Sequence, residues 1–258
     1  MAAMGDNVDM IKLKNNEQIV KMRDSGRITA EALLAAGEAV REGVSTLELD
    51  AIVRRYIEKQ GATPSFLGYG GFPGSACISV NEEVIHGIPS DKKILREGDI
   101  VKIDVGAYYK GFHGDSARTF AVGKIGKEAE KLIKVTKECF YKGMEMALPG
   151  KRIGDIGAAI GSHAAENGFS VVKTFVGHGV GHELHEEPEV PNYGVPGRGA
   201  RLCEGMTIAI EPMVNAGGFT VRVLDNKWTV VTTDGKLSAH YENTVAITAN
   251  GPSILTQA

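Results

Sequence analysis

Cysteine, aromatic residues and long apolar segments are all scarce in this chain of 258 residues. Its three cysteines, Cys77, Cys139 and Cys203, have neither CxxC spacing nor the spacing of a disulfide framework, which argues against a thiolate zinc site and a disulfide-stapled secreted domain. No apolar run approaches transmembrane length, and the first ten residues lack the basic and apolar regions of a signal peptide. These absences predict a protein of a reducing cytoplasm.

The chain also lacks a large excess of positive or negative charge. The formal net charge of −3 provides no general attraction to nucleic acid or to acidic membranes, so neither is an expected partner. With 43% hydrophobic residues, the chain can bury a substantial core. We expect a flexible leader over residues 1–9 and one domain over residues 10–258.

What is present is an unusual acidic hairpin over residues 97–122. Asp104 and Asp115 lie where strands normally bury apolar side chains. A two-residue turn at Tyr109 and Lys110, or at Lys110 and Gly111, places both carboxylates on the same face. Two such charges are unfavourable together unless a cation lies between them or one carboxylate keeps its proton. The alternative is a solvated hairpin with two surface acids.

A second copy of this pattern follows 107 residues later, since EGMTIAIE at 204–211 repeats EGDIVKID at 97–104. The same offset relates Gly43 to Gly150 and Gly61 to Gly168. The sequence therefore predicts a duplicated α+β unit with half-repeats at about 15–121 and 122–250. Each half would contribute two carboxylates: Asp104, Asp115, Glu211 and Glu242.

Apolar periodicity and capping signals predict four helices, over residues 15–44, 45–60, 127–148 and 153–167. Strands are predicted over 77–80 and 171–176, and others are expected to carry the acidic residues. The glycine-rich segment 67–75 is predicted to be a loop that lies close to another group and presents Tyr69 and Phe72.

The histidines indicate what the carboxylates are for. His178 lies between two glycines after a predicted strand, and HEEP at His185 echoes HGIP at His86. His113, His163 and His240 are interpreted as ordinary core or surface residues. Four carboxylates with one imidazole favour a pair of Mn, Fe or Co ions over structural zinc or calcium. Such a pair can activate a water molecule and polarise a carbonyl group.

Five motifs resemble type I methionine aminopeptidases of the short bacterial form: NEEVIHGIP, IVKIDVGAYYKGFHGDSARTF, GHGVGHELHEEP, GMTIAIEP and SAHYENTVAIT. The resemblance extends from about Ile11 to Thr248. It implies the duplicated "pita-bread" α/β fold and a cytoplasmic, monomeric hydrolase. Its substrates would be the N-termini of nascent chains, from which it removes methionine when the second residue is small. The ribosome is a further candidate partner.

The resemblance also implies site residues. Asp115 and Glu242 would bridge two divalent ions, Asp104 would chelate one, and His178 with Glu211 would complete the other. Glu211 would also transfer the proton of the attacking water, and His86 and His185 would assist the scissile amide. A monovalent-cation site is implied near two residues outside this set: Asn81 and Ser238.

A pocket for the methionine side chain is implied beside these groups. It is matched by Tyr69, Phe72, Cys77 and Trp228, whereas Leu184 and Phe66 depart from the residues common at their positions. Because of these two departures, the resemblance does not predict the dimensions of the pocket. Rings and a thiol suit an unbranched thioether, although each residue singly could be ordinary core.

Two other functions fit the sequence less well. Proline-directed peptidases of the same fold usually carry an additional N-terminal domain, and only about ten residues precede the first predicted helix here. A non-enzymatic binding protein on this fold would have lost ligand positions, whereas all five are acidic or histidine in this chain.

Overall fold

The computed structural model describes residues 11–258, so the leader expected over residues 1–9 lies outside the described part of the chain. Four α-helices are present in that part, in agreement with the sequence-based expectation. Their bounds are α1 Asn16–Glu38, α2 Thr46–Lys59, α3 Lys127–Glu145 and α4 Ile153–Glu166.

Short antiparallel strands make up most of the remaining structure, together with a 3-10 turn at Tyr69–Gly71 in the glycine-rich loop. The strands of the first half are β1 Thr63–Pro64, β2 Ala76–Val80, β3 Glu83–Ile85, β4 Ile100–Tyr109 and β5 Phe112–Ala121. Those of the second half are β6 Ser170–Val171, β7 Gly177–Gly179, β8 Glu186–Val190, β9 Thr207–Ile210, β10 Met213–Asn215, β11 Val221–Val223, β12 Val230–Thr232, β13 Ser238–His240, β14 Asn243–Thr248 and β15 Gly251–Ile254.

These strands form four sheets over residues 11–258. The first contains β4 paired with β1, β2 and β5, and the largest has the order β15-β14-β9-β7-β8. The two three-stranded sheets have the orders β13-β10-β6 and β11-β12-β3. Because β3 pairs with β12, the second of these joins the two halves of the chain.

The acidic hairpin forms as predicted. Tyr109 is paired with Phe112, so the turn consists of Lys110 and Gly111, whose φ angles of 51° and 86° suit a tight hairpin turn. Asp104 is paired with Ala117, two residues beyond Asp115. Side chains two residues apart on a strand share a face, so both carboxylates lie on the same face of the hairpin.

Each half packs a helix pair against its sheet. On β4, Val101, Ile103 and Val105 are buried in a cluster with residues of α1 and α2, which leaves the opposite face, with Asp104, for the other half. In the second half, α3 and α4 form the corresponding cluster with Ile208 and Ile210 of β9. The helices therefore occupy the outside and the acidic faces the inside.

The backbone repeats its conformation at the offset found in the sequence. Gly43 and Gly150 have φ angles of 86° and 90°, values that favour glycine. Their N–H groups donate to Leu95 and Leu202, which are again 107 residues apart. The segments that connect the helices of each pair thus adopt the same local structure.

Two predicted elements are shorter than expected. Helix α1 ends at Glu38 and not near residue 44, because Gly43 and Val44 pair with Leu95 through backbone hydrogen bonds of 2.9 Å. The strand expected over 171–176 is limited to Ser170–Val171. In both places tertiary contacts override the local preference of the sequence.

Asp50 connects α2 to the start of strand β2. Its buried carboxylate accepts hydrogen bonds from the backbone N–H groups of Ser75 (2.7 Å) and Ala76 (2.9 Å). An Asp50→Ala substitution leaves two buried donors without an acceptor, which we expect to lower the free energy of unfolding by about 2–4 kcal/mol. Urea denaturation of the metal-free protein measures this loss.

The matched control is Asp50→Asn, whose amide oxygen can still accept both hydrogen bonds. We expect it to lose less than half as much stability as Asp50→Ala. Equal losses in the two variants would show that these hydrogen bonds do not hold the strand.

Candidate metal centre and adjoining cavity

One cavity of about 330 Å³ lies between the two halves and collects side chains from distant parts of the chain. It brings together thirteen of the fifteen residues that the sequence analysis singled out as site residues. They are Phe66, Tyr69, Phe72, Cys77, His86, Asp104, Asp115, His178, Leu184, His185, Glu211, Trp228 and Glu242. The other two, Asn81 and Ser238, do not line the cavity.

The carboxylates are positioned at strand ends and within the hairpin. Asp104 and Asp115 lie in β4 and β5, Glu211 follows β9 directly, and Glu242 directly precedes β14. Asn243 is paired with Ile210, so the antiparallel register brings Glu211 and Glu242 to the same end of their strand pair. The second half thereby reproduces the paired acids of the first half.

These four groups are costly to ionise together. Burial, followed by the neighbouring Asp115, raises the pKa of Glu211 and of Glu242 well above the usual range. Burial and then Asp115 and Glu211 do the same to the pKa of Asp104, while burial raises the pKa of Asp115 to about 7. Four adjacent buried carboxylates at neutral pH therefore call for positive charge among them.

The donor atoms are spaced as the ligands of a shared ion. His178 Nε2 lies 3.8 Å from Asp115 Oδ2 and 3.6 Å from Glu211 Oε1. These separations exceed a good hydrogen bond, but two atoms that each lie about 2.1 Å from one ion are about 3–4 Å apart. The donor atoms form two groups, and within each group all of them lie within 4.8 Å of one another. One group contains Asp115, His178 and Glu242, and the other contains Asp104, His240 and Glu242. Glu242 belongs to both.

The tautomer of His178 is also the one expected of a metal-binding histidine. Its Nδ1 donates to the carbonyl oxygen of Gly179 at 2.8 Å, which leaves Nε2 without a proton and directed at the carboxylates. Burial lowers the pKa of His178 to about 3, so the ring is neutral. A neutral imidazole with its other nitrogen hydrogen-bonded is the usual form of a metal-binding histidine.

His240 is the functional candidate that the sequence analysis missed, because it was placed with ordinary core histidines. It is buried at the end of β13, and within the described residues neither ring nitrogen has a hydrogen-bond partner. Its Nε2 lies 3.5 Å from Glu211 Oε2 and 4.0 Å from Glu242 Oε2. His113 and His163 differ, since each has a polar partner, Ser65 and Glu138. A usable signal was the position of His240, two residues before a predicted ligand.

Two further histidines border the open side of the cavity. His185 Nδ1 shares a hydrogen bond of 2.8 Å with the Tyr69 hydroxyl, and its ring centroid lies 4.1 Å from that of His178. His86 follows β3 with a φ of 57°, a left-handed conformation uncommon outside glycine. Burial lowers the pKa of His86 to about 4 and also lowers the pKa of His185, so both rings are neutral.

An apolar slot adjoins the four carboxylates of the cavity, Asp104, Asp115, Glu211 and Glu242, which we call the acidic floor. Its buried residues are Phe66, Phe72, Cys77 and Leu184, against which Ile88 and Trp228 pack. The Phe72 and Trp228 rings meet edge to face, with centroids 5.1 Å apart. Burial, then the charge of Asp104, raises the pKa of Cys77 well above its ordinary value, so its side chain is a neutral thiol. The slot thus accommodates an apolar side chain beside charged groups.

Four lining residues were not foreseen from the sequence: Ile85, Thr174, Phe175 and Val176. Phe175 lies edge to face with His86 at 5.9 Å between centroids. The last three belong to the segment that was predicted to continue strand β6, and a strand end that leads to His178 was the available signal.

None of the helices found between residues 11 and 258 is long and apolar enough to cross a membrane.

Comparison with known proteins agrees with this geometry. A family model described as metallopeptidase family M24 matches residues 20–249. A methionine aminopeptidase of Clostridium acetobutylicum is 56% identical over 96% of this chain and 99% of its own length. Methionine aminopeptidase 1 of Bacillus subtilis is 51% identical over 96% of this chain and 100% of its own length.

Solved structures support the same assignment. A crystal structure of methionine aminopeptidase from Thermotoga maritima matches with a TM-score of 0.95 and 44% identity, covering 96% of this chain and 100% of that one. A prolidase from Pyrococcus furiosus matches with a TM-score of 0.78 and 28% identity, covering 95% of this chain and 65% of that one. The fold is the pita-bread fold of these peptidases, and the chain belongs to metallopeptidase family M24.

Proposed function

We propose that this chain is a methionine aminopeptidase that removes the initiator methionine from nascent proteins when the second residue is small. The observation that carries the proposal is an apolar slot placed directly against a floor of buried carboxylates and neutral imidazoles. Such a site can hold a methionine side chain and present the first peptide bond to the acidic floor. The relatives named methionine aminopeptidase support this substrate.

Two divalent ions, of Mn, Fe or Co, are the cofactors that we infer. Two buried carboxylate oxygens are free to bind such ions, since Asp104 Oδ1 and Asp115 Oδ1 have no hydrogen-bond partner in the part of the chain that is described. Such ions would supply an activated water molecule and polarise the scissile carbonyl group. Glu242, which belongs to both groups of donors, would contribute to both ions. The family resemblance assigns the same role to Asp115.

The remaining donors divide between the ions. His178 and Glu211 would hold one, and Asp104 the other. We add His240 to the second set for two reasons. Neither of its ring nitrogens has a hydrogen-bond partner among the described residues, and a ring nitrogen lies within 4.8 Å of carboxylate oxygens of Asp104 and Glu242. This addition changes the second set from oxygen only to oxygen with nitrogen, which favours a transition metal over magnesium or calcium.

The groups around the floor act on protons and orientation. A carboxylate oxygen of Glu211 would take a proton from the attacking water and pass it to the leaving amine. The His185 ring, which is held by Tyr69, would donate to the developing oxyanion from Nε2, and His86 would orient the amide nitrogen. The rings of the slot exclude water from the scissile bond.

The remaining inferences concern the whole protein. We divide it at about residue 121 into two repeats of one ancestral unit, which the matching turns at Gly43 and Gly150 support. We also infer a cytoplasmic monomer that meets its substrates as they leave the ribosome. Free cysteines at Cys77, Cys139 and Cys203 are compatible with a reducing compartment.

The functional test is the selectivity of the purified, metal-loaded protein among Met-X-Ser tripeptides. The free amine enters first, so the second residue lies at the mouth beside the loop that carries His185. We expect Ala, Gly and Ser at X to be accepted and Lys, Leu and Phe to lower kcat/KM by about a hundredfold, since a displacement of about 1 Å can cost this much.

Equal kcat/KM for Ala and Lys at X would disprove the steric explanation. Efficient cleavage of Ala-Pro, or of an acidic first residue, would disprove the assignment to methionine. Because Leu184 borders the slot, norleucine in place of methionine should be cleaved at a modest rate.

Removal of one ligand charge should abolish turnover. In Glu242→Gln, which affects both ions, we expect the loss of activity together with a much smaller rise in unfolding temperature on addition of Mn²⁺ or Co²⁺. The metal-free variant should be at least as stable as the unsubstituted protein, because one of four mutually repelling carboxylates is gone. Calorimetric metal titration and thermal unfolding measure the two effects.

Two variants control this experiment. Glu130→Gln removes an exposed acid in the first turn of α3 and should leave metal binding unchanged. His240→Gln should weaken binding of one ion by about ten- to a hundredfold and leave the other unaffected. Two unaltered binding constants in His240→Gln would remove His240 from the ligand set, and full activity of metal-loaded Glu242→Gln would refute the ligand assignment.

His185 should act on the transition state. We expect His185→Ala to lower kcat by about a hundredfold with both ions retained, because one donor to a developing oxyanion is lost. Tyr69→Phe, which removes only the group that holds the ring, should have a smaller effect. If KM rises while kcat is unchanged, His185 is a substrate anchor and not a catalytic residue.

A further inference from the structure

Strand β4 buries a lysine on the same face as Asp104 and two residues before it. Lys102 is 1% exposed, although lysine is almost never fully buried without a partner. Its Nζ donates to the backbone carbonyl oxygen of Asn81 at 2.7 Å. No carboxylate of the described residues lies within ion-pair distance of this Nζ, and burial lowers the pKa of Lys102 to about 7. The amine, which is protonated below that pH, is thus placed on a backbone carbonyl oxygen.

That carbonyl belongs to a turn that is held rigidly. Asn81 follows β2 with a φ of 52°, and its side chain donates from Nδ2 to Asp99 at 2.8 Å and accepts from the N–H of Ile100 at 3.0 Å. Its own N–H donates to the carbonyl of Ile100 at 2.9 Å. The position of the Asn81 carbonyl oxygen is therefore fixed by the start of β4.

The same oxygen has a second donor from the other half of the chain. The backbone N–H of Ser238, at the start of β13, donates to Asn81 O at 3.1 Å. The Ser238 hydroxyl points elsewhere and donates to the carbonyl of Val214 at 3.3 Å. Lys102, Asn81 and Ser238 thus form one junction, which we call the Lys102 junction.

This junction does not fit the monovalent cation that the family resemblance implies near Asn81 and Ser238. A carbonyl oxygen has two lone pairs, and at Asn81 one accepts from Ser238 and the other from Lys102. The Ser238 hydroxyl and the Asn81 amide are likewise engaged. A K⁺ or Na⁺ ion would have to displace the Lys102 ammonium from a fully buried position and leave that ammonium without its acceptor.

We propose that the Lys102 ammonium takes the place of the monovalent cation, so that this protein carries its own cation and requires neither K⁺ nor Na⁺. In its protonated form the lysine supplies the same single positive charge, at the carbonyl oxygen of Asn81. That oxygen also accepts from the N–H of Ser238 in β13, so the lysine contacts the atom that joins the turn at Asn81 to the second half. Unlike a free ion, it cannot be lost by dilution or exchange.

The first test uses the unsubstituted, metal-loaded protein in buffers whose only monovalent cation is tetramethylammonium. KCl or NaCl then replaces tetramethylammonium chloride at constant ionic strength, and the unfolding temperature is followed. We expect no change with either salt, because a cation that binds the native state would raise the unfolding temperature increasingly with its concentration. A rise that grows with the K⁺ or Na⁺ concentration would overturn the proposal.

The second test removes the lysine side chain from the Asn81 carbonyl. In Lys102→Ala the acceptor is freed, and we expect an unfolding temperature about 4 °C lower in tetramethylammonium, since a buried hydrogen bond from a charged donor is lost. K⁺, Na⁺ or methylammonium should restore most of the loss and tetramethylammonium none. If none of these ions restores stability, the Asn81 carbonyl is not a cation position and the proposal is wrong.

Two further variants keep the result interpretable. Lys102→Met retains most of the side-chain volume, so it replaces Lys102→Ala if that variant fails to fold, with the same restoration expected from the small ions and the same contrary outcome. Lys93→Ala removes another nearby lysine, which pairs with Glu83 near the surface, and it should not acquire any response to monovalent ions.

Thermal unfolding does not depend on peptidase activity. The inference about Lys102 can therefore fail while the proposed function holds, and the reverse is also distinguishable. As a second readout, kcat/KM of Lys102→Ala for Met-Ala-Ser should fall in tetramethylammonium and recover with K⁺, whereas that of the unsubstituted protein should not respond.

Discussion

The mutual repulsion of four buried carboxylates is the constraint on which this structure depends. A single buried carboxylate costs several kcal/mol unless it is paired, and four within one cavity cannot all be ionised without positive charge between them. Asp115 and Glu242 are among the most buried charged residues of residues 11–258. The protein accepts this cost at one place, where divalent ions compensate it and where the stored charge becomes affinity for metal.

The seam between the halves fixes the positions of these carboxylates. Thr244 of the second half exchanges two hydrogen bonds of 3.0 Å with the backbone N–H and carbonyl of Asp115 in the first. Ser116 donates to the carbonyl of Glu242 at 2.8 Å, and Arg118 also donates to that carbonyl. The backbones of Asp115 and Glu242 are thus hydrogen-bonded to the opposite half, so the spacing of these carboxylates follows from the packing of the halves.

The cavity combines two environments that are usually kept apart. The apolar slot with Phe72, Cys77 and Trp228 adjoins the acidic floor, and Phe66 and Leu184 complete its buried wall. An apolar wall strengthens every electrostatic interaction on the floor, because it excludes water and lowers the effective dielectric constant. Recognition of a side chain and activation of the neighbouring bond therefore come from the same arrangement.

Local sequence patterns were enough to predict the acidic hairpin, its same-face carboxylates, the four helices and the repeat at 107 residues. These depend on local rules, namely strand alternation, capping and glycine at positive φ, which act over a few residues. The motif resemblance supplied the thirteen residues that meet in the cavity, since the order of motifs along a chain reflects a shared fold.

The surroundings of His240 and Lys102 follow from the packing of the whole chain. Nothing in the local sequence singles out either residue, and their significance depends on partners elsewhere in the chain. His240 lies beside Glu211 because β13 pairs with β10, and Lys102 reaches Asn81 because β2 and β4 are neighbours. The end of α1 was likewise set by pairing with Leu95. Whether a buried polar atom is satisfied is a property of the packed molecule, and no local pattern contains it.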